Sequence, residues 1–151
     1  MRSALLSCAF VGCAYQPGSF THVQRGFSGQ RATVGCLDIA IERRADLAIG
    51  PVLGFQFANR CDQPAMIDLA AVVVVGRNAQ GIDVALTPYD PRAELHPVAL
   101  DGRNTGAESL AYPADHAMPQ VCVDVAALAH LGTPQWLCFG AARRAVAARL
   151  P

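Results

Sequence analysis

The stretch Ala65 to Leu86, AMIDLAAVVVVGRNAQGIDVAL, narrows the folds open to this chain more than any other part of it. Ala70 to Val75 is an unbroken apolar run rich in β-branched residues, bounded by turn formers and far too short to cross a bilayer. Such a run predicts a strand at the centre of a sheet. Gly76 to Gly81 supplies Gly and Asn for a turn with positive φ. Ile82-Asp83-Val84-Ala85-Leu86 then alternates, which places Ile82, Val84 and Leu86 on one face of a returning strand. The whole reads as an antiparallel hairpin, and it carries no reactive group.

The same alternation recurs along the chain. Thr33 to Glu42 predicts a strand with Leu37, Ile39 and Ile41 on one face and Cys36, Asp38, Ala40 and Glu42 on the other. Arg43-Arg44-Ala45-Asp46 reads as an exposed link. Val52 to Ala58 predicts a strand with Leu53, Phe55 and Phe57 inward and Gln56 outward. Three prolines between Pro88 and Pro97 exclude a central strand there and predict a crossing between sheets. Val98 to Leu100 predicts a brief edge pairing, Glu108 to Tyr112 a short strand, and Ala127 to Leu131 one helical turn. Gln120 to Ala126 and Gln135 to Gly140 predict the last two strands, with Val121, Val123, Val125, Leu137 and Phe139 inward. A weaker first strand is expected over Ser19 to Phe27.

Regular turns between short alternating strands predict an all-β chain, an antiparallel β-sandwich of seven or eight strands. At 151 residues the chain is long enough for one sizeable core. Its architecture resembles immunoglobulin-like and fibronectin-like domains over roughly residues 19–140, with no diagnostic motif.

Composition removes some function classes. Twelve cationic residues, all Arg, balance twelve acidic ones, so no basic surplus recruits nucleic acid. The N-terminus points to the envelope. Met1-Arg2-Ser3 precedes the apolar run Ala4 to Val11 and then Gly12-Cys13, the layout of a secretory signal. Phe10-Val11-Gly12-Cys13 resembles a bacterial lipobox, although Phe10 stands where Leu is usual and the signal is short. An alternative box, Leu5-Leu6-Ser7-Cys8, leaves almost no apolar run ahead of it. The resemblance implies that residues 1–12 are a signal peptide and that Cys13 becomes the lipidated first residue. It also implies a membrane attachment through that lipid. Residues 13–18 then form a tether, residues 19–140 the sandwich, and residues 141–151 a short helix or tail. No Asp follows Cys13, which in the lipoprotein pattern implies the outer membrane.

Four further cysteines remain: Cys36, Cys61, Cys122 and Cys138. None forms a C-x-x-C pair and no His stands at metal-ligand spacing, so disulfides in an oxidising compartment are the expected use. Three connectivities are open; nearest-neighbour pairing is preferred because each bond then closes a hairpin-sized loop. Cys36-Leu37-Asp38-Ile39-Ala40 and Cys122-Val123-Asp124-Val125-Ala126 share one pattern, with Cys and Asp on the face away from the aliphatics. That placement argues against a disulfide through the core. Coincidence explains the twin carboxylates better than a shared site does.

No nucleophile elbow, P-loop or dinucleotide fingerprint occurs. His22, His96, His116 and His130 are scattered, and Tyr89, Tyr112 and Trp136 are expected in core or rim packing. The expectation is therefore a non-enzymatic, lipid-anchored envelope module that binds an envelope protein or another envelope component, with no catalytic residues, metal or cofactor. The alternative is a secreted hydrolase or carbohydrate-binding domain whose site gathers Asp90, His96 and His116 from loops.

Overall fold

A computed structural model describes residues 29–130 and 132–141. The expected signal peptide, the lipidation residue Cys13, the tether and the first strand over Ser19 to Phe27 lie outside these residues. So does the expected terminal helix or tail beyond Ala141.

Among the described residues the chain is all-β and folds as an antiparallel sandwich. The strands are β1 (Gln30–Val34), β2 (Leu37–Leu47), β3 (Gly50–Asn59), β4 (Ala65–Ile67), β5 (Val73–Arg77), β6 (Asp83–Leu86), β7 (Val98–Leu100), β8 (Thr105–Ala111), β9 (Gln120–Asp124) and β10 (Trp136–Gly140). A single 3-10 turn, Ala127–Ala129, precedes the last strand. One sheet has the order β1-β2-β3-β8 and the other β10-β9-β5-β6, while β4 and β7 form a separate two-stranded ribbon. The ten strands exceed the seven or eight expected. The Thr33 to Glu42 segment divides between two strands, and Ala65–Ile67 pairs with Val98–Leu100 instead of extending the neighbouring hairpin.

The division falls at Gly35-Cys36, a two-residue turn that sets Val34 opposite Leu37. Gly35 has φ of 57°, a conformation that glycine reaches without a Cβ penalty. The link expected at Arg43–Asp46 is also corrected. Strand β2 runs through it to Leu47, and the register against β3 shifts between Arg43 and Ala45. A bulge absorbs the extra residue and bends the strand.

The core lies between the two sheets. Leu37, Ile39, Ile41, Leu53 and Phe55 are fully buried from one side, and Val74, Val121 and Val123 from the other. Burying a side chain of this size contributes about 1.5–3 kcal/mol. The central hairpin forms as β5 and β6, with Val74 opposite Leu86 and Gly76 opposite Val84. Strand β5 is interior to its sheet, yet only one of its faces is buried: Val74 packs in the core while Val73 stands exposed.

The polar face of β3 departs from simple alternation. Gln56 points away from the core, between Ala40 and Ala107, yet it is fully buried. Its amide nitrogen and oxygen have no hydrogen-bond partner among the described residues.

Both disulfides join cysteines that are neighbours in the sequence. Cys36–Cys61 ties the β1–β2 turn to the loop after β3, and Cys122–Cys138 links facing residues of β9 and β10. Each bond stays within one sheet and neither crosses the core.

Candidate functional site

The groups with most potential for recognition gather where β2, β3 and the β8–β9 loop meet. Arg43 keeps the alternation of Leu37, Ile39 and Ile41 up to the bulge, so it faces inward opposite the buried Leu53 with its side chain only 5% exposed. A buried guanidinium needs its donors satisfied, and here they are. Nη2 donates to the Met118 carbonyl at 2.6 Å, Nη1 to the Gly140 carbonyl at 3.1 Å, and Nε to Asp46 at 2.7 Å. Arg43 therefore fastens one sheet to the other at this end of the sandwich.

Arg44, the extra residue of the bulge, turns to the opposite face. Its Nε donates to Glu42 and its Nη1 to the Ser109 hydroxyl, and its side chain covers Gly54. Beside Arg43 and Arg44 opens a cleft of about 740 Å³. Leu47, Ala48, Asp115, His116 and Ala141 are among its lining residues.

The cleft wall is braced by backbone. Ala114 N–H donates to the Ile49 carbonyl and Tyr112 N–H to the Pro51 carbonyl. Gly50 has φ of 141° and backs directly onto the Tyr112 carbonyl, so any side chain there would collide. The Tyr112 ring is fully buried, with no partner for its hydroxyl among the described residues. Burial pushes the Tyr112 phenol well above the ordinary tyrosine range.

The residues expected to build an alternative site take other roles. Asp90 accepts from the backbone N–H groups of Glu94 and Leu95, bracing its own loop. His96 Nδ1 lies 2.6 Å from the Glu94 carbonyl on the surface, while His116 lines the cleft. Among the described residues no hydrogen bond or ion pair links the three. The twin carboxylates also act separately. Asp38 accepts from the Thr33 hydroxyl at 2.7 Å across the β1–β2 hairpin. Asp124 accepts from the N–H groups of Ala126 and Gln135, fixing the β9–β10 connection.

A second, smaller cavity of about 230 Å³ lies on the outer face of the β10-β9-β5-β6 sheet. Trp136, Cys122, Val75 and Gln120 line it with the Arg77–Asp83 ion pair. Trp136 is 45% exposed, so it sits at the rim. The hydrogen bond from Arg77 holds the Asp83 carboxyl below its ordinary range, and Arg103 does the same to Asp62 at the far end of the molecule.

Sequence reasoning missed Arg43, since four consecutive residues with three charges look like a solvated link. It also missed the tip of the β2–β3 hairpin, where Leu47, Ala48 and Ile49 are all exposed. The legible signal was an apolar turn, Leu47-Ala48-Ile49-Gly50, lacking the Asn or Asp usual in a two-residue loop.

Among the described residues, no three His, Cys, Asp or Glu side chains gather in a metal-binding arrangement, and no helix is long and apolar enough to cross a membrane. No protein-family model matches the sequence, and no curated protein matches it. Among solved structures, the yjhA protein from Bacillus subtilis is similar at 10% identity with a TM-score of 0.45, over 67% of this chain and 81% of that one.

Proposed function

We propose that the chain is a lipid-anchored module of the bacterial cell envelope, a non-enzymatic sandwich that binds a protein or other component there. The observation that carries this reading is the pair of disulfides, Cys36–Cys61 and Cys122–Cys138, which fit a chain exported to an oxidising compartment. With those four paired, Cys13 in the lipobox-like segment is available for acylation. The antiparallel sandwich, an architecture of many binding modules, supports a binding role by analogy. The use of Asp90 as a loop brace weighs against the hydrolase alternative.

The test is the intact mass of the chain expressed in a bacterium with its native N-terminus. Loss of residues 1–12, an added acyl-glycerol mass and a gain of about 4 Da on reduction, two hydrogens per bridge, are expected. An unprocessed chain with free thiols would overturn the reading.

A further inference from the structure

The outer face of the β10-β9-β5-β6 sheet holds a cavity that the packing of the sandwich does not require. Strand register fixes how it is built. Trp136 stands in one row with Asp124 and Val73, and the Cys122–Cys138 bridge and Val75 fill the next outward row. Gln120, Arg77 and Asp83 stand side by side in the row after that, on three neighbouring strands about 4.8 Å apart. Val75 and Cys122 are half-buried and form the floor, while Trp136, Arg77 and Asp83 stand exposed around it. The disulfide between the Trp136 and Gln120 rows holds β10 to β9 beneath the cavity. Walls carried on paired strands are set before a ligand arrives, so little entropy is lost on binding.

The lining joins a flat ring to unused polar groups. Trp136 is 45% exposed and offers apolar surface with a polar N–H at its edge. Within the described residues no hydrogen bond uses that indole N–H or the Gln120 amide. Arg77 gives Nε and Nη2 to Asp83 at 2.7 and 2.9 Å, which leaves Nη1 and spare acceptor capacity on the carboxylate. The charges cancel: Asp83 answers Arg77, and Asp124 is taken by the N–H groups of Ala126 and Gln135. An anionic ligand finds no surplus cation there, and a cationic ligand no surplus carboxylate. The ligand that fits is neutral, apolar on its faces and hydrogen-bonding round its edge. A pyranose has that constitution, with C–H bonds on its faces and hydroxyls at its rim. At about 230 Å³ the cavity falls below the ~300–1,000 Å³ of pockets that enclose a drug-sized molecule, so it seats a single ring. Gly140 ends the Gln120 row with no side chain and open space beside it, which leaves room for a longer glycan to continue across the sheet.

We infer that the Trp136 cavity is a saccharide-binding site that takes one pyranose of a neutral glycan. The ring stacks on Trp136, and its hydroxyls meet Gln120 and the Arg77–Asp83 pair. This names the class of envelope component bound, and it rests on the envelope-binding reading for the setting in which a glycan is met. None of Asp90, His96 and His116 lines this cavity.

The experiment titrates the full oxidised chain, in whatever processed form its mass shows, with cellohexaose, chitohexaose, maltohexaose and mannohexaose. Calorimetry gives the affinity. Trp136 is the sole tryptophan of the chain, so its emission and its protection from acrylamide report on this site alone. At least one of the four is expected to bind with both signals. Trp136→Ala should weaken that binding about tenfold and Gln120→Ala about fivefold, with thermal midpoints unchanged. Trp136→Phe keeps a stacking ring and should retain most of the affinity. No heat and no change in emission with any of the four overturns the site and leaves this face to a protein partner. Binding that Trp136→Ala leaves intact overturns it as well. An acylated chain that ignores all four keeps the anchor and loses the site; an unacylated chain that binds through Trp136 does the reverse.

Discussion

The guanidinium of Arg43 and the carbonyl of Met118 meet at 2.6 Å across the mouth of the sandwich, joining β2 to the loop that leads into β9. Because the arginine is buried, Arg43→Met would leave the Met118 and Gly140 carbonyls without the guanidinium donor. The expected loss is about 3 kcal/mol, read as a lower urea midpoint under oxidising conditions. A change below about 0.5 kcal/mol would mean that water replaces the guanidinium without cost.

Gln56 gives the opposite sign. Its amide is buried with neither atom paired among the described residues, so an apolar side chain of similar volume removes a cost and breaks no bond there. Gln56→Met is expected to raise stability by about 1–2 kcal/mol. A drop in the thermal midpoint would point instead to a water bound at the amide.

Tyr112 sets a limit at high pH. Its phenol ionises in the unfolded chain near pH 10 and only at higher pH when folded. Since the folded-state value is raised, stability is intact below about pH 10 and falls as pH rises past it. Tyr112→Phe should abolish that component of alkaline unfolding while leaving stability at pH 7 nearly unchanged or slightly higher. An identical alkaline transition in the variant would assign the loss to other groups.

The two disulfides should each contribute about 3 kcal/mol by restricting the unfolded chain, given closed loops with sequence separations of 25 and 16. The double variant Cys36→Ala with Cys61→Ala should also open the loop carrying Asp62, which limited proteolysis would detect. The variant Cys122→Ala with Cys138→Ala should leave that loop protected, because β9 and β10 remain paired along their length. Equal cleavage in both variants would contradict this division.

Much of the fold was readable because inward positions carry large apolar side chains in strict alternation. Leu53, Phe55 and Phe57 on β3, and Val121 and Val123 on β9, are examples. What escaped notice was local. Gly35-Cys36 hid a turn because the flanking Val34 and Leu37 are both apolar and Cys36 looks like a strand residue. Arg43 hid a core contact because a charged residue at the inward position after Ile41 reads as the end of the strand, although it continues the alternation of Leu37, Ile39 and Ile41. Gln56 obeyed its predicted face but not its predicted exposure. Of the candidate site, the cysteines were legible from their number and spacing. The cleft was not, since it depends on how the β8–β9 loop settles against a hairpin distant in sequence.

The placement of the disulfides has a mechanical consequence. Each covalent link stiffens one leaf of the sandwich, and neither links the leaves to each other. A load that pulls the leaves apart is therefore resisted by side-chain packing and by stays such as Arg43. One that shears strands within a leaf soon meets a covalent stop. A sandwich built this way would yield first by delamination, with the strands of each leaf still paired.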